Sequence, residues 1–460
     1  MKVFTVSILF SLFLSLPTIA ASLPTEIGNN FWDISWGGNT NDPFVNTHRN
    51  VLGTNPWKQP FIDEIKPYTV LRFMDWCKVN GAEQYHTGRW ADRTQKNDAV
   101  QYPVAYDWMI DLCNRAGTDM WVCIPHVADQ DYWQQLAVLI HDQLDPSLRV
   151  YVEHSNETWN DMFSQAQYGK QKALEVGITE SNEWYRGQKY QAWVNFRIFQ
   201  VFETVFAADR HRLVTVMGST DGHAFAETHM ECQDDPFYNP GNVKMDALAV
   251  APYFGANVNG GSATAINDLY AAIDDRSARN RLIKSKLDAE DIQFIIYEAG
   301  QHVLQGTDVI CRDSRIYNVY RAYLDSMALM FPLLVHYTHS GTFGSGGAWG
   351  SKEYIGQPLE QAHKYRALYD YAVDNGQWTA GAQRSVRIRT ASLFTPQPLA
   401  TGSRAGRPAA ALTVLPANPG GARFDALGRL GLPEAALRPV KNGLVIVRTD
   451  GSAVPVLPLR

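Results

Sequence analysis

The chain has little of what marks a metal, redox, nucleic-acid or membrane protein. Its 460 residues include five cysteines, at 77, 113, 123, 232 and 311, and no Cys-x-x-Cys, so a zinc cluster has no ligand set to use. His126, Asp129 and Asp131 are the nearest thing to a ligand group, but their spacing follows no compact metal motif. No metal and no cofactor is expected. No early Gly-rich phosphate loop opens a helix, which argues against a doubly wound nucleotide-binding sheet. The net charge is only −6, so neither nucleic acid nor an anionic membrane is favoured as a partner. Past residue 16, no apolar run approaches the roughly 18 residues needed to cross a bilayer.

Residues 1–21 read as a secretory signal: Lys2, an apolar run over 3–16, then Thr18, Ala20 and Ala21, small residues that suit cleavage. The expected protein is therefore exported, and a monomer. Export permits disulfides, but an odd cysteine count leaves at least one thiol unpaired. Cys232 and Cys311, in polar, loop-like stretches, are the candidate pair; Cys77, Cys113 and Cys123 are expected in the core.

The chain is 45% hydrophobic, enough for a large core, and holds 13 Trp. Sugars present flat C–H faces that stack on aromatic rings, so the aromatic excess fits carbohydrate binding as well as core packing. Strand-like runs at 31–36, 69–75, 120–125, 150–154, 213–218, 247–252, 294–298 and 333–337 alternate with helical patterns at 102–116, 133–143, 162–176, 190–206, 263–286, 314–330 and 360–375. Eight strands interleaved with helices predict an α/β fold, a (β/α)8 TIM barrel over residues 22–379.

Residues 380–460 differ in kind. They hold 11 Lys and Arg against 3 Asp and Glu, nine of the 23 prolines and no Trp, which leaves the rest of the chain about 14 charges negative. The segment reads as a Pro/Arg-rich linker and a small β-type tail, with a hairpin around Asp450-Gly451. Phe394 and Phe424 are its only aromatic residues, too few for a sugar-stacking module.

Two of the strand runs end in carboxylates. Val150-Tyr-Val-Glu-His-Ser-Asn-Glu157-Thr-Trp159 delivers Glu157 after the fourth run, and Ile295-Ile-Tyr-Glu298 delivers Glu298 at the end of the seventh. Parallel barrels place their chemistry at the carboxyl ends of the strands, and a facing pair of carboxyl groups is what glycosidic bond cleavage needs. Plainer readings exist. Glu157, after an Asn, could cap the next helix; Glu298, before Ala-Gly, could be a surface turn residue. Glu153 should point the same way as Glu157 if the strand runs that far, and inside a barrel it needs a partner, for which Arg72 is the natural choice. Asn156-Glu-Thr158 matches an N-glycosylation acceptor, here by coincidence.

With Asn156-Glu157 on strand four and Glu298 on strand seven, the chain resembles the clan A glycoside hydrolases, the 4/7 superfamily that includes family 5. The run 150–160 also looks like a secreted branch of that clan. The resemblance implies that Glu157 is the acid/base, Glu298 the nucleophile, and that Asn156 hydrogen-bonds a sugar 2-hydroxyl. It implies that Arg72 keeps the nucleophile ionised, that His126 is a subsite ligand on strand three, that Tyr253 touches the nucleophile and that Trp349 is an aromatic platform after strand eight. Trp159 joins these as a substrate-binding candidate. The chain departs from family 5 at strand six, where Ala251-Pro-Tyr253 stands in place of a His two residues before the Tyr. The expected function is a secreted retaining glycoside hydrolase on a β-linked polysaccharide or oligosaccharide, with β-glucan or mannan first. A carbohydrate-binding barrel without catalysis is the alternative.

Overall fold

The computed structural model describes residues 25–31, 42–44, 55–221 and 224–379, together with five short strands between 423 and 454. The signal and linker readings lie outside the described residues. Eight parallel strands close a barrel in sequence order: β1 Glu26–Asn30, β2 Val70–Arg72, β3 Asp119–Ile124, β4 Val150–His154, β5 Leu213–Gly218, β6 Ala247–Val250, β7 Gln293–Ile296 and β8 Leu333–Tyr337. β8 pairs back onto β1 from Glu26↔Leu333 to Asn30↔Tyr337, which completes the ring. Helices alternate with the strands and cover the outside of the barrel, so both faces of every strand are buried. That is why the strands read as apolar runs without clean alternation.

Seven strands fall where the sequence reading places them, and β4, β5 and β8 match to the residue. The first does not. β1 occupies Glu26–Asn30 rather than 31–36, because its mouth end is polar: Asn29 and Asn30 are fully buried, and Asn30 faces the barrel interior, where it bonds Glu298. Helix ends show the expected local causes. The helix Tyr106–Ala116 starts four residues later than its pattern, after Pro103, and ends on Gly117 in the left-handed conformation. The helix Glu183–Val205 starts seven residues earlier than its pattern, because the Asn182 side chain accepts hydrogen bonds from the amides of Trp184 and Tyr185.

The barrel interior carries a charged layer. Strand register places Arg72 beside Trp121 and Cys123 beside Glu153. Glu153 accepts hydrogen bonds from Arg72 Nε and Trp121 Nε1, both at 2.9 Å, so the partnership expected of Glu153 and Arg72 is present. Gly218 on β5 makes room for this carboxylate: a Cβ there would stand 2.8 Å from Glu153 Oε1.

Two compositional expectations change. All five cysteines are free thiols and buried; Cys232 and Cys311 sit in helices, Ala224–Asp234 and Thr307–Arg312, not in loops. Most of the described Trp residues serve the core or the helix surfaces. Trp57 and Trp76 stack with rings 6.0 Å apart, and Phe31 and Phe44 stack on them, which closes the region beside β1 and β2. Trp159 and Trp349 alone among the described Trp residues reach the cavity at the barrel mouth.

In the C-terminal segment, Gly443–Val447 and Ala453–Val454 pair antiparallel on either side of Asp450-Gly451, with Leu437–Val440 as a third strand.

Candidate active site

A cavity of about 240 Å³, open to solvent, lies at the carboxyl ends of the strands and is lined by both Glu157 and Glu298. The two carboxylates reach it by different routes.

Glu298 follows β7 by two residues and is 5% exposed, which excludes the surface-turn reading. Its Oε1 accepts from Arg72 Nη1 at 2.9 Å and from Asn30 Nδ2 at 2.9 Å; its Oε2 accepts from the Tyr253 hydroxyl at 2.9 Å. Two strands and one loop therefore fix a single carboxylate. Arg72 is itself fully buried and spends a third nitrogen on Asn156 Oδ1, also at 2.9 Å. Burial pushes the Glu298 carboxyl above its ordinary value, and the Arg72 charge and the Tyr253 hydrogen bond oppose that rise. The sequence reading had Arg72 holding this group down; desolvation outweighs it in the net direction.

Glu157 lies beyond the end of β4 at His154, so the two-residue period that would align it with Glu153 does not extend to it. Instead Ser155 and Glu157 adopt left-handed backbone, φ 59° and 41°. Non-glycine residues rarely hold that conformation unless the surroundings fix it. The two reversals let consecutive side chains, Asn156 and Glu157, line one cavity. The next helix, Ser164–Glu175, has Phe163 at its N-cap, so Glu157 is not a capping residue. Its carboxyl receives Asn160 Nδ2 at 2.9 Å and the Tyr297 hydroxyl at 3.4 Å, and no cation. Burial first, and then the negative charge of Glu298, push its pKa up to about 8.

The other candidates divide. Asn156 lines the cavity with its Oδ1 on Arg72 and its Nδ2 donating to Asn80 Oδ1 at 3.2 Å; it is 2% exposed, no acceptor for a glycan. Tyr253, Trp159 and Trp349 line the cavity. Trp349 gets there although it follows β8 by twelve residues, because its loop doubles back. The Thr338 amide donates to the Trp349 carbonyl, Ser340 bridges to Lys352, and the Trp349 indole N–H points at His302 Nδ1, 3.2 Å away. His126 is not among the lining residues. Its ring is buried against Tyr168, with Nε2 3.2 Å from Glu83, so the structure does not bring the proposed strand-three ligand to this site. Asp129 caps the helix Gln130–Gln143, and no group of three potential ligands able to hold a metal ion occurs among the described residues.

Sequence reasoning missed Asn30, Asn80, Asn160 and Tyr297. Asn160 and Tyr297 each stand within three residues of a motif carboxylate, a signal that was legible. Asn30 and Asn80 are lone amides in loop-like sequence and gave none.

No protein-family model matches the chain, and no curated protein matches it. Solved structures do. The arabinofuranosidase of Xanthomonas axonopodis pv. citri (GH51) is 12% identical, with TM-score 0.45 over 76% of this chain and 72% of that one. A broad-specificity endoglucanase of Clostridium acetobutylicum (GH5-4) is 12% identical, with TM-score 0.44 over 75% and 97%. A β-glucosidase of Thermotoga maritima is 14% identical, with TM-score 0.40 over 76% and 98%. The likeness is one of fold.

Proposed function

We propose that this chain is a retaining glycoside hydrolase that acts on a β-linked polysaccharide, with Glu298 as nucleophile and Glu157 as acid/base. The observation that carries the reading is the contrast within one cavity. One carboxylate is held by a buried guanidinium and two further donors, and the other has no cation bonded to it and a pKa of about 8. Two carboxyl groups whose surroundings separate their proton affinities are what acid/base assignment requires.

In the first step Glu298 attacks the anomeric carbon and the glycosidic C–O bond breaks. The leaving oxygen takes the proton of Glu157, and a glycosyl ester forms on Glu298. Glu157, now ionised, removes a proton from water, which attacks the same carbon. The ester bond breaks and both residues return to their starting states. Tyr253 and Arg72 hold Glu298 in place during both steps. Asn156, fixed by Arg72 and Asn80, offers its amide edge to the sugar, and Trp349 supplies a face for stacking. The apolar run after Lys2 supports export. Glucans and mannans are the substrates to try first.

The test is product stereochemistry. Hydrolysis of β-gluco- and β-manno-oligosaccharides followed by proton NMR should give the β-anomer first, which mutarotates later. Immediate release of the α-anomer contradicts the ester intermediate, and no release from any β-glucan, mannan or xylan sinks the hydrolase reading.

A further inference from the structure

The cavity has two unlike ends. Where the loops after β7 and β8 meet, it is aromatic: His302, Tyr337 and Trp349. Toward β5 and β6 it is ionic: Thr220 and Asp221, from the loop after β5, and Arg276, from the middle of the helix Ala265–Ala289. Arg276 Nη1 donates to Asp221 Oδ2 at 2.5 Å, and the two side chains are only 7% and 6% exposed. Neither residue has a place in the mechanism above.

A guanidinium offers five N–H donors and a carboxylate about four acceptor positions. Among the described residues, Asp221 is the one side chain that Arg276 bonds to, and the contact uses one N–H and one oxygen. A buried ion pair with so much hydrogen-bonding capacity left over stabilises a fold poorly, because the cost of taking two charges out of water is recovered only when the remaining donors and acceptors are matched. Both residues line the cavity.

Resting on the glycosidase reading, we infer that Asp221 and Arg276 form a second sugar-binding point, a clamp for the vicinal hydroxyls of a neutral sugar unit at the end of the cavity away from Trp349. Adjacent hydroxyls each carry one donor and two acceptor lone pairs, so one can give its proton to the carboxylate while its neighbour accepts from the guanidinium. Charge decides against an acidic sugar. The acidic and basic side chains lining the cavity include Glu157, Glu298, Asp221 and Arg276, three carboxyl groups against one guanidinium. Asp221 already neutralises the cation that a uronate would need. Asp221 and Trp349 come from loops three strands apart round the barrel, after β5 and β8, a separation that implies a substrate spanning more than one sugar unit.

Titration calorimetry on an E298Q protein, which binds without turning over, tests this with glucose, mannose and their β-1,4 oligomers of two to four units. Affinity should rise with length, and D221N and R276M should each lose that rise, roughly ten- to hundredfold, while binding the shortest ligand as the E298Q parent does. Persistence of the rise in both variants overturns the clamp. So does a parent whose affinity is independent of length, a result that needs no further variant to fold. Preference of the parent for a glucuronate-bearing disaccharide over cellobiose and mannobiose overturns the choice of a neutral sugar. The two proposals fail separately: length-dependent binding in a wild-type protein with no turnover keeps the clamp and removes the hydrolase, whereas turnover without length dependence does the reverse.

Discussion

The ends of β4 and β7 carry the same side chain into the same cavity and treat it in opposite ways. At the β7 end, Glu298 meets Arg72, Asn30 and Tyr253, groups anchored on β2, β1 and the loop after β6. At the β4 end, Glu157 meets a neutral amide from its own loop and one long contact from Tyr297, on a backbone bent twice into the left-handed region. Burial raises both carboxyls, so burial alone cannot assign their roles. What differs is the company. A fixed cation and two more donors hold one ready to bear charge, and the other, with no cation bonded to it, is driven by burial and by the Glu298 charge to hold its proton to about pH 8.

The sharpest way to break this contrast is to neutralise each carboxylate in turn. On the proposed mechanism Glu298→Gln removes the group that forms the covalent bond, and turnover should fall roughly 10⁴-fold or more on every substrate. Glu157→Gln removes only a proton donor. On polysaccharide it should cost about 10²- to 10⁴-fold, but an aryl glycoside with a good leaving group needs little protonation and should still show a burst of released phenol. Equal losses on both substrates in both variants would show that the two residues are not divided as nucleophile and acid.

How much of this was legible in the sequence follows from the same physics. β4 and β7 are buried, so they appear as largely apolar runs, and a Glu follows each within three residues. Arg72 and Glu153 were readable as a pair because a charge inside an apolar run requires a partner within the barrel. β1 was not readable. It is short and ends in two buried amides, Asn29 and the inward-facing Asn30, and a pattern search for apolar residues slides past them to the aromatic stretch that follows. His126 fits a strand-three ligand by position, yet its ring turns toward Glu83 and Tyr168, a side-chain orientation that spacing cannot encode. The two left-handed residues that aim Glu157 left no mark either, since neither Ser155 nor Glu157 is a glycine.

Stability offers the next test of the contrast. Arg72→Met strips the cation from two buried carboxylates, Glu153 and Glu298, and should destabilise the fold by about 3–5 kcal/mol in denaturant titrations. Glu157→Gln should act in the other direction. The folded protein keeps the Glu157 proton up to about pH 8, whereas the unfolded chain releases it near 4.5. Between those values the native state binds more protons, so wild-type stability falls as pH rises through that window. The Gln variant carries no such loss. Its advantage over wild type should grow from pH 4.5 to a plateau above 8, on the order of a few kcal/mol. A pH-independent difference between the two proteins would mean that Glu157 is ordinarily solvated.

The smallest effects are the most specific, because they address one hydrogen bond at each end of the cavity. Tyr253→Phe deletes a bond that favours the ionised form of Glu298, so its carboxyl gains proton affinity and the acid limb of the kcat/KM profile moves to higher pH, with a rate loss of about tenfold. Asn160→Ala deletes the corresponding bond to Glu157. That carboxyl then keeps its proton further into alkali, and the alkaline limb also moves to higher pH, by less than about one pH unit. One substitution therefore narrows the active range and the other widens it. If both variants shift the same limb, the pH profile reports a single group and the division of labour between residues 157 and 298 fails. If the alkaline limb answers to Asn160 and the acid limb to Tyr253, each limb belongs to the carboxylate that the local hydrogen bonding assigns to it.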